Sequence, residues 1–116
     1  MHVNVFDFPQ LLAQSNERYL EFVRVSSLSV GIYVLDGGAM DYQNPHSEDE
    51  VYYVASGRAK MKIASDRETE SFDVCPGTII FVPAHVHHSF YDISERLAIL
   101  VFFAPAESLV HAATPK

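Results

Sequence analysis

The chain has 116 residues, of which 48% are hydrophobic and 20% charged, a length that suits one domain with one core. Its formal net charge of −7 disfavours contact with phosphate backbones and anionic lipid surfaces, so we expect neither a nucleic acid nor a membrane as partner. No apolar run approaches the roughly 18 residues of a membrane span, and we predict no signal peptide. Because Cys75 is the single cysteine, no internal disulfide can form, and we expect a cytoplasmic location.

The N-terminal segment carries the signals of a short helix. Asp7 can cap it, Pro9 suits the first turn, and Gln10 stands three residues after the cap, as in a capping box. We therefore predict a helical lead-in over residues 7–16.

From Tyr19 onward the hydrophobic pattern changes to a period of two, which is typical of strands with one buried face. Glycine, proline and aspartate turns separate the apolar runs at intervals of about ten residues. The pattern predicts an all-β fold, a sandwich or a barrel, and the run at 78–82 is apolar enough to be buried on both faces. The predicted strands are 19–25, 28–35, 50–55, 59–64, 70–74, 78–82, 88–91 and 97–103.

Two polar clusters interrupt this pattern. In the first, Asn44, His46 and Glu50 share one parity, so a strand would place their side chains on the same face. The second cluster contains His85, His87 and His88, about 30 residues later in the chain. Two histidines and one carboxylate form the facial ligand set of non-haem Fe(II) oxygenases, so the clusters could together hold a metal ion.

Several of these polar residues also have a purely structural explanation. We expect Glu48 and Asp49 to lie in a solvated acidic turn, and His87 to lie on the surface. His85 could simply hydrogen-bond to backbone. Cys75 is expected to be a small buried hydrophobic residue and not a nucleophile.

The spacing of the first cluster resembles the first motif of the cupin superfamily, G-x5-H-x-H-x3-E-x6-G. Gly38, Asn44, His46, Glu50 and Gly57 occupy its five positions in frame, with Asn44 in place of the first histidine. The resemblance covers residues of about 20–104. It implies a cupin-type double-stranded β-helix, or jelly-roll barrel, within a single domain over 1–116 that ends in a tail over 105–116.

The second cluster resembles the second cupin motif, G-x5-P-x-G-x2-H-x3-N. Gly77, Pro83 and His88 stand in frame, whereas His85 replaces a glycine and Asp92 replaces the asparagine. Carried over position by position, the resemblance implies that His46, Glu50 and His88 bind a divalent metal ion: iron, nickel, manganese or zinc. Asn44 holds the fourth ligand position, and an amide oxygen is a weaker ligand there than imidazole.

The cupin resemblance implies a metal-dependent enzyme acting on a small organic molecule, with an Fe(II) dioxygenase as the first expectation. Tyr52 and His85 are the candidate proton donors or substrate anchors. A non-catalytic binding cupin is the alternative that Asn44 favours, and a metal-assisted isomerase, cyclase or lyase is a third.

We also expect a homodimer, with the apolar segment 20–25 as its contact. Aromatic residues and Met61 are expected to line the pocket or to pack in the core: Tyr33, Tyr42, Tyr52, Phe81, Phe90, Phe102 and Phe103.

Overall fold

The computed structural model describes residues 1–7, 10, 18–41 and 45–108. At the N-terminus its described part contains a 3-10 turn, Val5–Asp7, and most of the predicted helix over 7–16 lies outside the described residues. No helix among the described residues is long and apolar enough to cross a membrane. Six strands follow: β1 (Tyr19–Val25), β2 (Leu28–Leu35), β3 (Asp49–Ala64), β4 (Thr69–Val74), β5 (Ile79–Val82) and β6 (His87–Ala104).

Strands β3 and β6 are about twice as long as the sequence pattern predicts. Each of them joins two predicted strands, and the two pair antiparallel from Asp49 opposite Ala104 to Ala64 opposite His87. The register shifts between Val54 and Lys60, where the sequence carries the expected turn Ser-Gly-Arg. A bulge accommodates the extra residues and bends the strand without ending it. The Ser-Gly-Arg segment, which is typical of a turn, therefore lies within a continuous strand.

The strands are antiparallel and follow the order β1-β2-β6-β3-β4, with β5 also paired to β3. Strand β3 therefore has β6 along one edge, while β5 and β4 share the other edge, opposite its first and second halves. This arrangement confirms the all-β fold class. It also places the start of β3 beside the end of β6.

The core consists of the side chains that alternate inward along these strands. Along β3, Glu50, Tyr52 and Val54 are buried, whereas Tyr53 is partly exposed. The main cluster contains mostly aliphatic and aromatic residues from five strands, among them Tyr33, Leu35, Met61, Val74, Ile80, Phe90, Ile99 and Phe103. Period-two alternation thus predicted the buried face of the long strands.

Two predictions of burial are wrong. On β5, Ile79 and Phe81 are 70% and 57% exposed, while Ile80 and Val82 are buried. In the described part of the chain β5 pairs only with β3, off the main path of the sheet, and one of its faces packs on the core. Cys75 is also exposed. It lies in the turn after β4, where its carbonyl accepts a hydrogen bond from the Thr78 hydroxyl at 2.7 Å.

Candidate metal centre

The turn before β6 is hydrogen-bonded to the segment that enters β3. The backbone N–H of His85 donates to the carbonyl of His46 at 2.7 Å. The N–H of Ala84 donates to the Asp49 carboxylate at 2.9 Å. These two bonds bring the two polar clusters of the sequence together at one end of the barrel.

Three buried side chains converge there. His46 lies just before β3, Glu50 is the second residue of β3, and His88 is the second residue of β6. Glu50 Oε1 lies 3.1 Å from His88 Nε2 and 3.6 Å from His46 Nδ1. The three candidate ligand atoms all lie within 4.8 Å of one another. Among the described residues, this is the group of histidine, cysteine and acidic side chains that could hold a metal ion.

Two further contacts orient His88. Its Nδ1 lies 2.9 Å from the Val86 carbonyl, and because a carbonyl oxygen only accepts, Nδ1 carries a proton. Nε2 is then the nitrogen that faces Glu50, and the Tyr52 hydroxyl lies 2.9 Å from it. A histidine fixed through one nitrogen to a backbone carbonyl is the usual arrangement of a metal ligand.

The electrostatics of Glu50 and His88 show strong mutual stabilisation. Burial alone raises the pKa of Glu50, but the interactions of its carboxylate with the imidazoles of His46 and His88 outweigh burial and lower the pKa to about 2. Burial likewise opposes the charge on His88, yet the hydrogen bond and charge of Glu50 raise the pKa of that imidazole. The site therefore holds an ionised carboxylate, which favours a positive charge beside it.

A divalent metal ion fits this donor set. Two imidazoles and one carboxylate, which lie on a rigid sheet and in the segment bonded to it, offer nitrogen and oxygen ligands of the kind that iron, manganese, nickel and zinc accept. The structure places the predicted ligands His46, Glu50 and His88 together. Asn44, the fourth predicted ligand, lies outside the described residues, as does Tyr42.

Aromatic side chains form the walls of the centre. The ring of Phe103 lies 4.8 Å from that of His46, centroid to centroid. Tyr52 contacts Phe90 edge-on at 5.2 Å, and both are buried. Tyr52 therefore combines a packed ring with a hydroxyl beside the candidate ligand His88.

The other two histidines of the second cluster, His85 and His87, lie outside this centre. The side chains of His85 and His87 are exposed. His85 has a φ of 68°, in the left-handed region that favours glycine, which is the residue that the second cupin motif carries at this place. Asp92, at the asparagine position of that motif, has a φ of 48°. Both substituted positions keep the backbone conformation typical of glycine or asparagine.

The expectation that Glu48 lies in solvent is wrong, since its side chain is buried and accepts a hydrogen bond from Ser47. Glu48 has the same parity as His46 and Glu50, so the strand-like alternation that points these two inward extends to it. Asp49, of opposite parity, is exposed as expected.

Sequence reasoning missed Glu107, which falls in the predicted tail. Its side chain is fully buried, and its Oε2 lies 3.1 Å from His46 Nε2. The only signal in the sequence is an isolated carboxylate in an otherwise apolar stretch, which did not indicate a place in the site.

Comparisons with known proteins agree with this geometry. The sequence profile of the family described as Cupin matches residues 11–114. An uncharacterised protein of Streptomyces coelicolor is 46% identical over 96 residues, which cover 83% of this chain and 88% of that protein.

Two solved structures show the same fold. One is a variant of oxalate decarboxylase from Bacillus subtilis, with a TM-score of 0.68 and 23% identity over 75% of this chain. The alignment covers only 25% of that chain, so the present protein spans about a quarter of its length. The other is an RmlC-like cupin with a double-stranded β-helix fold from Methanocaldococcus jannaschii, with a TM-score of 0.62 and 19% identity over 75% of this chain and 78% of that one.

The match of the family profile to most of the sequence, together with the antiparallel barrel and its His46, Glu50 and His88 cluster, shows that this chain belongs to the cupin family.

Proposed function

We propose that this cupin is a metal-dependent enzyme that acts on a small organic molecule. The observation that carries the proposal is the convergence of His46, Glu50 and His88, three buried side chains with ligand atoms within 4.8 Å of one another. Three protein ligands leave coordination positions for a substrate, whereas a purely structural metal site is usually closed by four. The buried setting excludes bulk water from the reacting molecule.

The bound metal would supply Lewis-acid or redox chemistry at this point, and the chain's own residues would position the substrate and move its protons. Tyr52 is the proposed proton donor, because its hydroxyl lies beside His88 and its ring is held by Phe90. His85 stays in the proposal as a residue at the rim, where its exposed imidazole could anchor a substrate on entry.

For the reaction we propose dioxygenase-like chemistry, which the two-histidine, one-carboxylate ligand set supports. A metal-assisted lyase is the competing reaction, and the fold likeness to an oxalate decarboxylase supports it. Both reactions suit a small substrate whose oxygen atoms bind the metal. Oxygen uptake separates them: a dioxygenase consumes O2 in proportion to substrate, whereas an isomerase, cyclase or lyase converts substrate with no net uptake.

The first experiment measures metal content in protein purified without chelators or a histidine tag. We expect near-stoichiometric iron, manganese, nickel or zinc in the wild type, and loss of most of it in Glu50→Gln and in the double variant His46→Ala/His88→Ala. The exposed His87→Ala variant is the matched control and should retain the metal. Metal in the double variant at the wild-type level would contradict the assignment.

A non-catalytic cupin that only binds a small molecule is the second candidate function. Asn44 in the place of the first motif histidine favours it, because an amide oxygen is a poor fourth ligand. Tight binding of a ligand by protein that takes up no metal, even after reconstitution, would support this function over the enzymatic one.

A cytoplasmic homodimer is also part of the proposal. Within the described residues, strand β1 lies at one end of the strand order and pairs only with β2, so we propose its other edge as the place where a second copy pairs. The exposed thiol of Cys75 is compatible with a reducing compartment. The molar mass in solution, from light scattering, tests the assembly, and a monomeric mass would contradict it.

A further inference from the structure

Glu107 is a buried carboxylate that the chain holds in place from both sides. It is 1% exposed and lies three residues after β6. Its backbone N–H donates to the Ser29 hydroxyl at 2.8 Å, and its carbonyl accepts from the Arg24 guanidinium at 2.7 Å. Residues of β1 and β2 thus fix the backbone of Glu107, and its side chain contacts His46.

The imidazole of His46 lies between two carboxylates. Its Nε2 is 3.1 Å from Glu107 Oε2, and its Nδ1 is 3.6 Å from Glu50 Oε1. A carboxylate only accepts hydrogen bonds, so a hydrogen bond between Glu107 and His46 would require the proton of the ring on Nε2. The lone pair of such a neutral ring would lie on Nδ1, toward Glu50 and the centre.

Glu107 is not itself one of the converging ligands. Within the part of the chain that the structure describes, the group with mutually close ligand atoms comprises His46, Glu50 and His88. Glu107 contacts the far nitrogen of His46 instead. Metal-binding histidines commonly donate their second N–H to a carboxylate, which fixes the tautomer and makes the ligating nitrogen more basic.

From these contacts we propose that Glu107 is a positioning residue: it holds His46 in the Nε2–H tautomer, with Nδ1 presented to a divalent metal ion. His88 is held in the opposite tautomer by the Val86 carbonyl, so the two histidines present different nitrogens. The inference deepens the proposed function, because it assumes that His46 is a ligand. It gives the segment after β6 a role that the cupin motifs do not contain.

The first test uses the wild-type protein without metal. Nitrogen-15 NMR at pH 8, with the His46 signals assigned by their loss in His46→Gln, reports which ring nitrogen carries the proton. We expect the proton on Nε2. A ring protonated on Nδ1, or on both nitrogens, overturns the proposal without the need for any variant at Glu107.

The second test measures Zn²⁺ affinity by competition with a chelator. We expect Glu107→Gln, which keeps the volume but removes the charge, to bind Zn²⁺ about 10- to 100-fold more weakly than the wild type. Glu48→Gln is the matched control, because it removes another buried carboxylate of the same region, and we expect its affinity within about twofold of the wild type. Metal-free unfolding temperatures of both variants separate a general loss of stability from an effect on the site.

The outcomes also separate this inference from the proposed function. If the wild type binds none of the four candidate metals, the proposed function fails, whereas Nε2 protonation that is lost in Glu107→Gln still supports the positioning of His46 by Glu107. If the wild type binds metal and Glu107→Gln binds it equally well, with an unchanged tautomer of His46, the proposed function stands and the role of Glu107 is refuted.

Discussion

Asp41, which lies after β2, is hydrogen-bonded to two strands of the sheet. One of its carboxylate oxygens accepts a hydrogen bond from the Tyr33 hydroxyl at 3.0 Å, and the other accepts from the backbone N–H of Phe90 at 2.8 Å. The carboxylate therefore links β2 and β6. Burial, together with the charge of Asp41 and the hydrogen bond to it, raises the pKa of Tyr33 above its ordinary value of 10.0.

The raised pKa of Tyr33 predicts a loss of stability at high pH. Above pH 10 the unfolded chain releases a phenolic proton that the folded protein retains, so the free energy of unfolding falls as pH rises. At neutral pH the free energy of unfolding of Tyr33→Phe should be about 1 kcal/mol lower than that of the wild type, because the hydrogen bond is lost. It should then fall less steeply than in the wild type as pH rises. Urea unfolding measured at a series of pH values up to about 12 tests this. Equal slopes in the two proteins would contradict the prediction.

His85 is a residue at which backbone strain and a possible function coincide. A side chain with a φ of 68° costs roughly 1–2 kcal/mol relative to the usual conformation, and glycine avoids that cost. Strain of this kind concentrates at functional sites.

We predict that His85→Gly raises the free energy of unfolding by about 0.5–1 kcal/mol, since the relief of strain exceeds the entropy that glycine adds to the unfolded chain. His87→Gly, at an exposed strand residue, should lower it by about 1 kcal/mol. Chemical unfolding of the two variants provides the comparison. If His85→Gly is stabilised but loses turnover, His85 has a role in substrate handling; if it is destabilised like His87→Gly, the strain argument is wrong.

Among the structural elements, the bend of β3 depends on one glycine. Gly57 has a φ of 97°, and a Cβ at this position would lie 2.2 Å from the carbonyl oxygen of Arg96 on β6. Gly77, in the turn after β4, has a similar φ of 93° but no heavy atom within 4 Å of the corresponding position. A comparison of the two glycines therefore distinguishes the effect of backbone conformation, which both positions share, from the effect of close contact between two strands, which only Gly57 has.

Alanine substitution should destabilise the two positions unequally. Gly77→Ala carries only the conformational penalty, about 1–2 kcal/mol. Gly57→Ala carries the same penalty and also forces β3 away from β6, so we expect a loss larger by a further 1–3 kcal/mol or so. Thermal or urea unfolding of both variants measures the difference. Equal losses in the free energy of unfolding would show that β3 and β6 can move apart at Gly57 without destabilising the fold, and would contradict the prediction.

For the whole molecule, the candidate metal centre connects parts of the chain that are far apart in sequence. His46 precedes β3, Glu50 and His88 lie on the two longest strands, and Glu107 follows the last strand. A ligand that binds only the folded state stabilises it by mass action.

We predict that the metal ion raises the unfolding temperature of the wild type. At a free metal concentration of 100 times the Kd the gain is about 2.7 kcal/mol, which for a domain of this size is an increase of roughly 10 °C. His88→Ala should show no such shift, and His87→Ala should behave as the wild type. Differential scanning fluorimetry of chelator-treated protein with each candidate metal tests this, and an equal shift in His88→Ala would locate the binding elsewhere.

Local patterns in the sequence were sufficient to predict much of this protein. Period-two alternation predicted strands whose inward residues, such as Tyr52 and Phe90, are indeed buried. The resemblance of two segments to the cupin motifs predicted His46, Glu50 and His88 as ligands, and the structure brings these three side chains together. Both signals depend on parity within a strand or on fixed distances between motif residues, and these are properties of the chain itself.

The tertiary structure alone decided the remaining features, because they depend on which segments become neighbours. The turn signal at Gly57 became a bulge since β6 pairs with β3 on both sides of it. Phe81 and Cys75 became exposed because β5 lies off the main path of the sheet and Cys75 lies in the turn after β4. Glu107 reached His46 through contacts with Arg24 and Ser29, residues some 80 positions earlier in the chain. The amino-acid sequence by itself determined most of the strands, which follow from short-range periodicity, and the three candidate ligands, which follow from the resemblance to the two cupin motifs. The packing of distant segments determined the carboxylate behind His46, since no local pattern marks a residue whose partners lie at the other end of the chain.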